Sequence, residues 1–73
     1  PERQLEKMAT SLPWNASQRE LSVIRGLLDG KSYKEIASSN FMTIDGVRYY
    51  VRRIYPKLGV YSRDQLVKLL GRT

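Results

Sequence analysis

Three times in this chain a serine stands three residues before a glutamate or glutamine: Ser17-Gln18-Arg19-Glu20, Ser32-Tyr33-Lys34-Glu35 and Ser62-Arg63-Asp64-Gln65. The first amides of an α-helix have no partner inside the helix. A capping box supplies partners: the serine hydroxyl accepts one of those amides, and the Glu or Gln side chain reaches back to the amide of the serine. A fourth start, Thr43, has Gly46 where the acid would stand, but Met42 and Val47 are placed to form a hydrophobic staple across it. Stops are marked as clearly, by Asp29-Gly30 after the first helix and Gly59 after the third. This punctuation predicts helices over 17–28, 32–39, 43–57 and 62–70, with short connections of the kind found in compact helical domains. The expected fold class is all-α, a compact four-helix domain spanning 14–73.

Ahead of it, Leu5, Met8, Ala9 and Leu12 share one helical stripe that Pro13 ends. Residues 1–13 therefore read as a linker or short helix from a preceding domain. A chain that opens on Pro1 rather than Met is expected to be a piece of a longer protein. Trp14 and Ala16, just before the first helix, read as a lid on the core, and Tyr33 and Tyr61 as half-buried rings at helix starts.

Composition removes whole classes of chemistry. The chain has no Cys and no His, which excludes thiol catalysis, disulfides, the common zinc patterns and imidazole acid–base work. At 73 residues it has little core to spare for an enclosed pocket. Its acids are not clustered and no activated nucleophile is visible, so the expectation is no enzyme, no cofactor and no metal. No apolar run approaches the roughly 20 residues of a membrane span, and no signal-peptide core is present. A cysteine-free chain suits a reducing compartment, and a cytoplasmic location is expected.

The net charge of +6 is concentrated rather than spread. Residues 1–45 are neutral, whereas 46–73 carry Arg48, Arg52, Arg53, Lys57, Arg63, Lys68 and Arg72 against Asp64 alone. Such asymmetry points to a polyanionic partner. On a helical wheel Val47, Val51, Ile54 and Leu58, spaced by four, three and four, fall on one arc that must face a core. Tyr50 and Tyr55 flank it. The opposite arc collects Asp45, Arg48, Tyr49, Arg52 and Arg53.

Only Asn40-Phe41-Met42 separates the second and third helices, the spacing of a helix-turn-helix, in which the second helix reads the major groove of DNA. Arg suits that task because its planar fork bonds guanine O6 and N7 together and also pairs with phosphate. Arg48, Tyr49 and Arg52 are the candidate base contacts. Thr43 and the first-turn amides can meet a phosphate at the positive end of the helix dipole. Lys34, Arg53, Lys57 and Arg63 are the other candidate phosphate contacts. Asp45 would repel a phosphate at the helix start unless it pairs with Arg48 or Tyr49 or accepts from cytosine N4, and a structural role is the expected one.

With these residues in place, the chain resembles the LuxR-type helix-turn-helix domains of NarL/FixJ-type response regulators and quorum-sensing regulators. The resemblance is carried by Ser17-Gln18-Arg19-Glu20, Gly30-Lys31-Ser32-Tyr33-Lys34-Glu35-Ile36-Ala37, Val47-Arg48, and Ile54-Tyr55-Pro56-Lys57-Leu58-Gly59-Val60 with Ser62-Arg63, in register from about Trp14 to Leu70. It implies a four-helix domain that binds double-stranded DNA, an N-terminal regulatory domain in the full chain, and base-reading residues at Arg48, Tyr49 and Arg52. It also implies a homodimer contact on the last helix, drawn from Leu66, Val67, Leu69 and Leu70. The sequence departs from the family pattern at Asn40, where a buried Leu is usual, at Gly46 for Thr, at Tyr50 for His, and at Pro56 near the end of the reader helix. Those departures keep a second function open, a helix-turn-helix scaffold docking an acidic protein partner.

Overall fold

Each predicted start is a cap in the computed structural model, which describes Leu12 and residues 14–71. Among these residues the secondary structure is four helices: α1 Gln18–Leu28, α2 Tyr33–Ser39, α3 Ile44–Leu58 and α4 Arg63–Leu70. Apart from Leu12, the segment 1–13 read as a linker or short helix lies outside the described residues. Ser17 and Ser32 form complete capping boxes with Glu20 and Glu35. Thr43 Oγ1 accepts the Gly46 amide at 3.0 Å, so the missing acid does not prevent the cap.

The third box differs from its expected form. Ser62 Oγ accepts the Gln65 amide, but Gln65 Oε1 passes over Ser62 and takes the Tyr61 amide at 2.6 Å. Tyr61 also differs: it is 89% exposed rather than half-buried. Its ring follows Val60, which is buried, and turns outward from the last bend of the chain.

The first three helices end by the Schellman arrangement, in which two amides beyond the helix return to carbonyls of its last turn. After α1 the Gly30 and Lys31 amides bond to Leu27 and Gly26 carbonyls; after α3 the Gly59 and Val60 amides bond to Pro56 and Tyr55 carbonyls. Gly30 and Gly59 take the left-handed conformation this requires, with φ of 78° and 70°. α3 runs through Pro56, which cannot donate to the carbonyl one turn back, and closes two residues later. α2 ends in the same way, the Phe41 and Met42 amides bonding to Ser38 and Ala37, but here the left-handed residue is Phe41, at φ 55°. Asn40, where the resemblance implied a buried Leu, is half-buried and donates Nδ2 to the Ile36 carbonyl at 2.9 Å.

The core joins Leu21, Val23, Ile24 and Leu27 of α1 to Ile36 and Ala37 of α2, Val47, Val51 and Ile54 of α3, and Leu66 of α4, with Leu12 and Val60 from the connections. Met42 packs against it beside α3, where the staple was expected. α1 lies against all three other helices, and α2 packs on α3. Close approach of α1 and α2 depends on Gly26, since a methyl there would sit 2.7 Å from Ile36 Cγ1. No helix among the described residues is long and apolar enough to cross a membrane.

Candidate nucleic-acid interface

With Val47, Val51 and Ile54 buried, the 100° step of the helix turns Arg48, Tyr49, Arg52 and Arg53 to the exposed side of α3. Tyr50, one residue off the buried arc, is half-buried against the core and meets Tyr49 edge to face with ring centres 6.0 Å apart. The proximity of the cationic groups is moderated by partners on the same helix. Arg48 pairs with Asp45 at 3.1 Å, which gives Asp45 the structural role expected of it. Arg53 donates Nη1 to Tyr49 Oη at 3.0 Å and lies 5.5 Å from that ring's centre, a cation–π placement. The bond to Tyr49 raises the Arg53 pKa, so that group stays charged. Arg52 makes no ion pair among the described residues and borders a shallow groove with Tyr55, Pro56 and Tyr61.

At the start of α3 the Thr43 hydroxyl already accepts the Gly46 amide, which leaves its own hydrogen free to donate outward. Lys34 is exposed on α2. Lys57 and Arg63, grouped with Lys34 as phosphate candidates, instead arrive with partners. Lys57 Nζ is 3.7 Å from Glu20 Oε2 and 4.9 Å from the centre of the Trp14 ring. Arg63 donates Nη1 to the Lys31 carbonyl at 2.8 Å and stacks 5.8 Å from the centre of the Tyr33 ring, tying the start of α4 to the α1–α2 turn. Tyr55 lies within reach of this group: burial and Tyr33 push its phenol up while Arg63 pulls it down, with a net rise.

On α4 the four residues grouped as dimer contacts divide. Leu66 is wholly buried and Leu70 packs half-buried against the core, whereas Val67 and Leu69 are 39% and 53% exposed.

Two residues with a part in this surface went unremarked in the sequence. Glu20 was recognised only as a cap; in the fold its carboxylate also accepts from Trp14 Nε1 at 3.3 Å and from the Ser17 amide at 2.8 Å while facing Lys57. Burial pushes this carboxyl up, but the Ser17 and Trp14 hydrogen bonds and the charges of Lys57 and Arg53 outweigh it and hold the pKa below the usual value. Phe41 is the other, 96% exposed at the turn before α3. Its signal was positional: a phenylalanine standing where a helix end usually calls for Gly or Asn.

Residues 15–70 match the family model of bacterial regulatory proteins, luxR family (GerE). No curated protein matches the chain significantly, and no solved structure does. The matched span contains all four helices with their N-caps, and with it the exposed basic face of α3. The chain therefore belongs to the LuxR family of bacterial regulatory proteins, as its helix-turn-helix, DNA-binding type of domain.

Proposed function

We propose that this domain binds duplex DNA by laying α3 in the major groove, with Arg48, Tyr49 and Arg52 against base edges and Lys34, Thr43, Arg53, Lys57 and Arg63 toward phosphates. The observation that carries the reading is the division of α3 itself. Val47, Val51 and Ile54 are buried, and Arg48, Tyr49, Arg52 and Arg53 are exposed on the other side. Arg52, with no ion pair among the described residues, is the group most available for a bidentate bond to guanine. Lys57 and Arg63 are already held near the ends of α3 and α4, so a phosphate would join contacts that exist rather than order free side chains.

In the same reading the domain serves a cytoplasmic transcription regulator of response-regulator or quorum-sensing type, coupled to an N-terminal regulatory domain. It acts as a homodimer through the outward residues of α4. Two half-sites about one helical turn apart are what two-fold symmetry would require.

The test is a salt titration of binding to duplexes recovered from randomised DNA. If each copy neutralises about four to six phosphates, log K should fall against log salt with a slope of roughly −4 to −5 per copy. A slope near zero would reject groove binding and leave the docking of an acidic protein partner as the better account.

A further inference from the structure

Phe41 carries two costs, a left-handed backbone angle and a solvent-exposed ring. A side chain with φ near +55° crowds its Cβ against the carbonyl that follows, which is why Gly or Asn usually takes such a position. Its ring is also 96% exposed and is absent from the group of apolar residues packed on the core. Either cost alone would be ordinary. The left-handed angle serves the end of α2, but that end does not call for a phenylalanine, and no packing in the fold uses the ring.

Its place in the chain indicates a use for the ring. Phe41 is the left-handed residue between α2 and α3, two residues before the Thr43 cap. In a helix-turn-helix the first helix crosses the sugar–phosphate backbone and the start of the second enters the groove. The turn between them therefore passes the wall of the groove, where deoxyribose carbons and thymine methyls offer apolar surface. Ile44, the first residue of α3, is also 40% exposed, so the apolar surface continues into the helix. The Met42 side chain is turned the other way, onto the core, and anchors the turn from beneath.

We infer that Phe41 is a DNA-contacting residue, packing its ring on the apolar wall of the major groove, sugar carbons or a thymine methyl, beside the start of α3. This rests on the groove-binding reading above and adds an uncharged contact to it. The ring contributes to affinity without releasing counterions, and it fixes how deeply the turn sits.

The test compares wild type, Phe41→Asn and Phe41→Leu on the tightest duplex recovered from randomised DNA, across a series of salt concentrations, with urea denaturation of each protein alongside. Asn accepts the left-handed conformation and removes the exposed ring, so Phe41→Asn is expected to raise the urea midpoint. It should nevertheless bind roughly five- to thirtyfold more weakly at every salt concentration, with the salt slope unchanged. Leu keeps an apolar side chain, and Phe41→Leu should fall between the other two in affinity. Replacing thymine by uracil in the duplex separates the sources: a loss confined to wild type and the Leu variant identifies a methyl, and no loss identifies the sugar. Phe41→Asn binding as tightly as wild type would overturn the assignment while leaving groove binding intact. A wild-type chain with no salt-dependent binding to any duplex would overturn the reading beneath it as well.

Discussion

Lys57 Nζ sits 3.7 Å from Glu20 Oε2, bridging the last turn of α3 to the first turn of α1. The Trp14 ring lies beneath the same ammonium and donates its indole N–H to the same residue's other oxygen. Three side chains from three parts of the chain thus fix where α3 ends. Lys57 keeps 37% of its side chain exposed, so this bridge is partly screened by water, but the Glu20 side chain keeps only 11%. The carboxylate is the member that cannot find replacement solvent.

That asymmetry is testable because Glu35 occupies the same capping position on α2 without a cation beside it among the described ion pairs. Gln serves a capping box as well as Glu, so Glu20→Gln and Glu35→Gln each remove one charge while preserving the cap. Glu20→Gln is expected to cost about 1 kcal/mol of unfolding free energy, against a few tenths for Glu35→Gln. Urea denaturation of the pair reads the difference. Equal effects would show that the Lys57 bridge contributes nothing beyond the cap.

The same residue sets a pH dependence. Glu20 has its folded pKa held below the ordinary value of 4.5, so folding favours its ionised form. The stability it adds is complete above that ordinary value and is lost as pH falls through the lowered one. The gap between wild type and Glu20→Gln should therefore be full at neutral pH and close as the solution is acidified below about 4.5. Urea midpoints measured across that range check it. A gap that widened on acidification would mean the carboxyl is destabilised by its burial after all.

Two helical glycines should respond to alanine with opposite signs. At Gly26 a methyl would sit 2.7 Å from Ile36 Cγ1, in the middle of a buried β-branched side chain rather than at its free end. Overpacking should outweigh the gain in helix propensity and cost about 1–2 kcal/mol net. At Gly46 the nearest groups are the flexible end of Met42 and the Thr43 hydroxyl, both 3.3 Å away. There propensity should win, and Gly46→Ala should stabilise by up to about 1 kcal/mol. Thermal or urea melts decide both.

The contrast between these glycines shows where the sequence was legible. Helix starts were readable because capping is local: Ser17, Ser32, Thr43 and Ser62 act on amides within three residues of themselves. The two sides of α3 were readable for a similar reason, since a 3.6-residue period assigns each side chain a direction once the core arc is known. Contacts between elements were not. Gln65 bonding to Tyr61 instead of Ser62 depends on the path of the bend before α4, and Tyr61 is exposed because Val60 took the inward position. Arg63 reaching the Lys31 carbonyl spans 32 positions of sequence, and no spacing rule covers that distance. Phe41 escaped notice because its significance lies in a backbone angle.

Arg52 and Lys34 should separate base reading from phosphate contact. Arg52→Ala is expected to lose roughly 1–3 kcal/mol of discrimination at one base pair, while Lys34→Ala should weaken all sequences alike and reduce the salt slope by about one. Selection from randomised DNA with each variant, followed by affinities on single-base substitutions, gives both quantities. An Arg52→Ala protein with unchanged base preference would remove Arg52 from the reading face.

The outward residues of α4 bear on assembly. Val67 and Leu69 are exposed, and Lys68 lies between them, also exposed, so the helix offers two apolar side chains around a charge. Two positions apart on a helix, Val67 and Leu69 point in different directions, so copies meeting on either one would cover too little apolar surface for a stable free dimer, because stable interfaces bury on the order of 800 Å² per partner. Assembly should therefore be visible chiefly on DNA, where a two-half-site duplex holds both copies at high effective concentration. Leu69→Lys is expected to leave folding and binding to a single half-site unchanged, since Leu69 is outside the core group. Cooperative filling of the second half-site should be lost. Band-shift titrations on one- and two-site duplexes distinguish these outcomes. Retained cooperativity in Leu69→Lys would place the contact between copies on another surface.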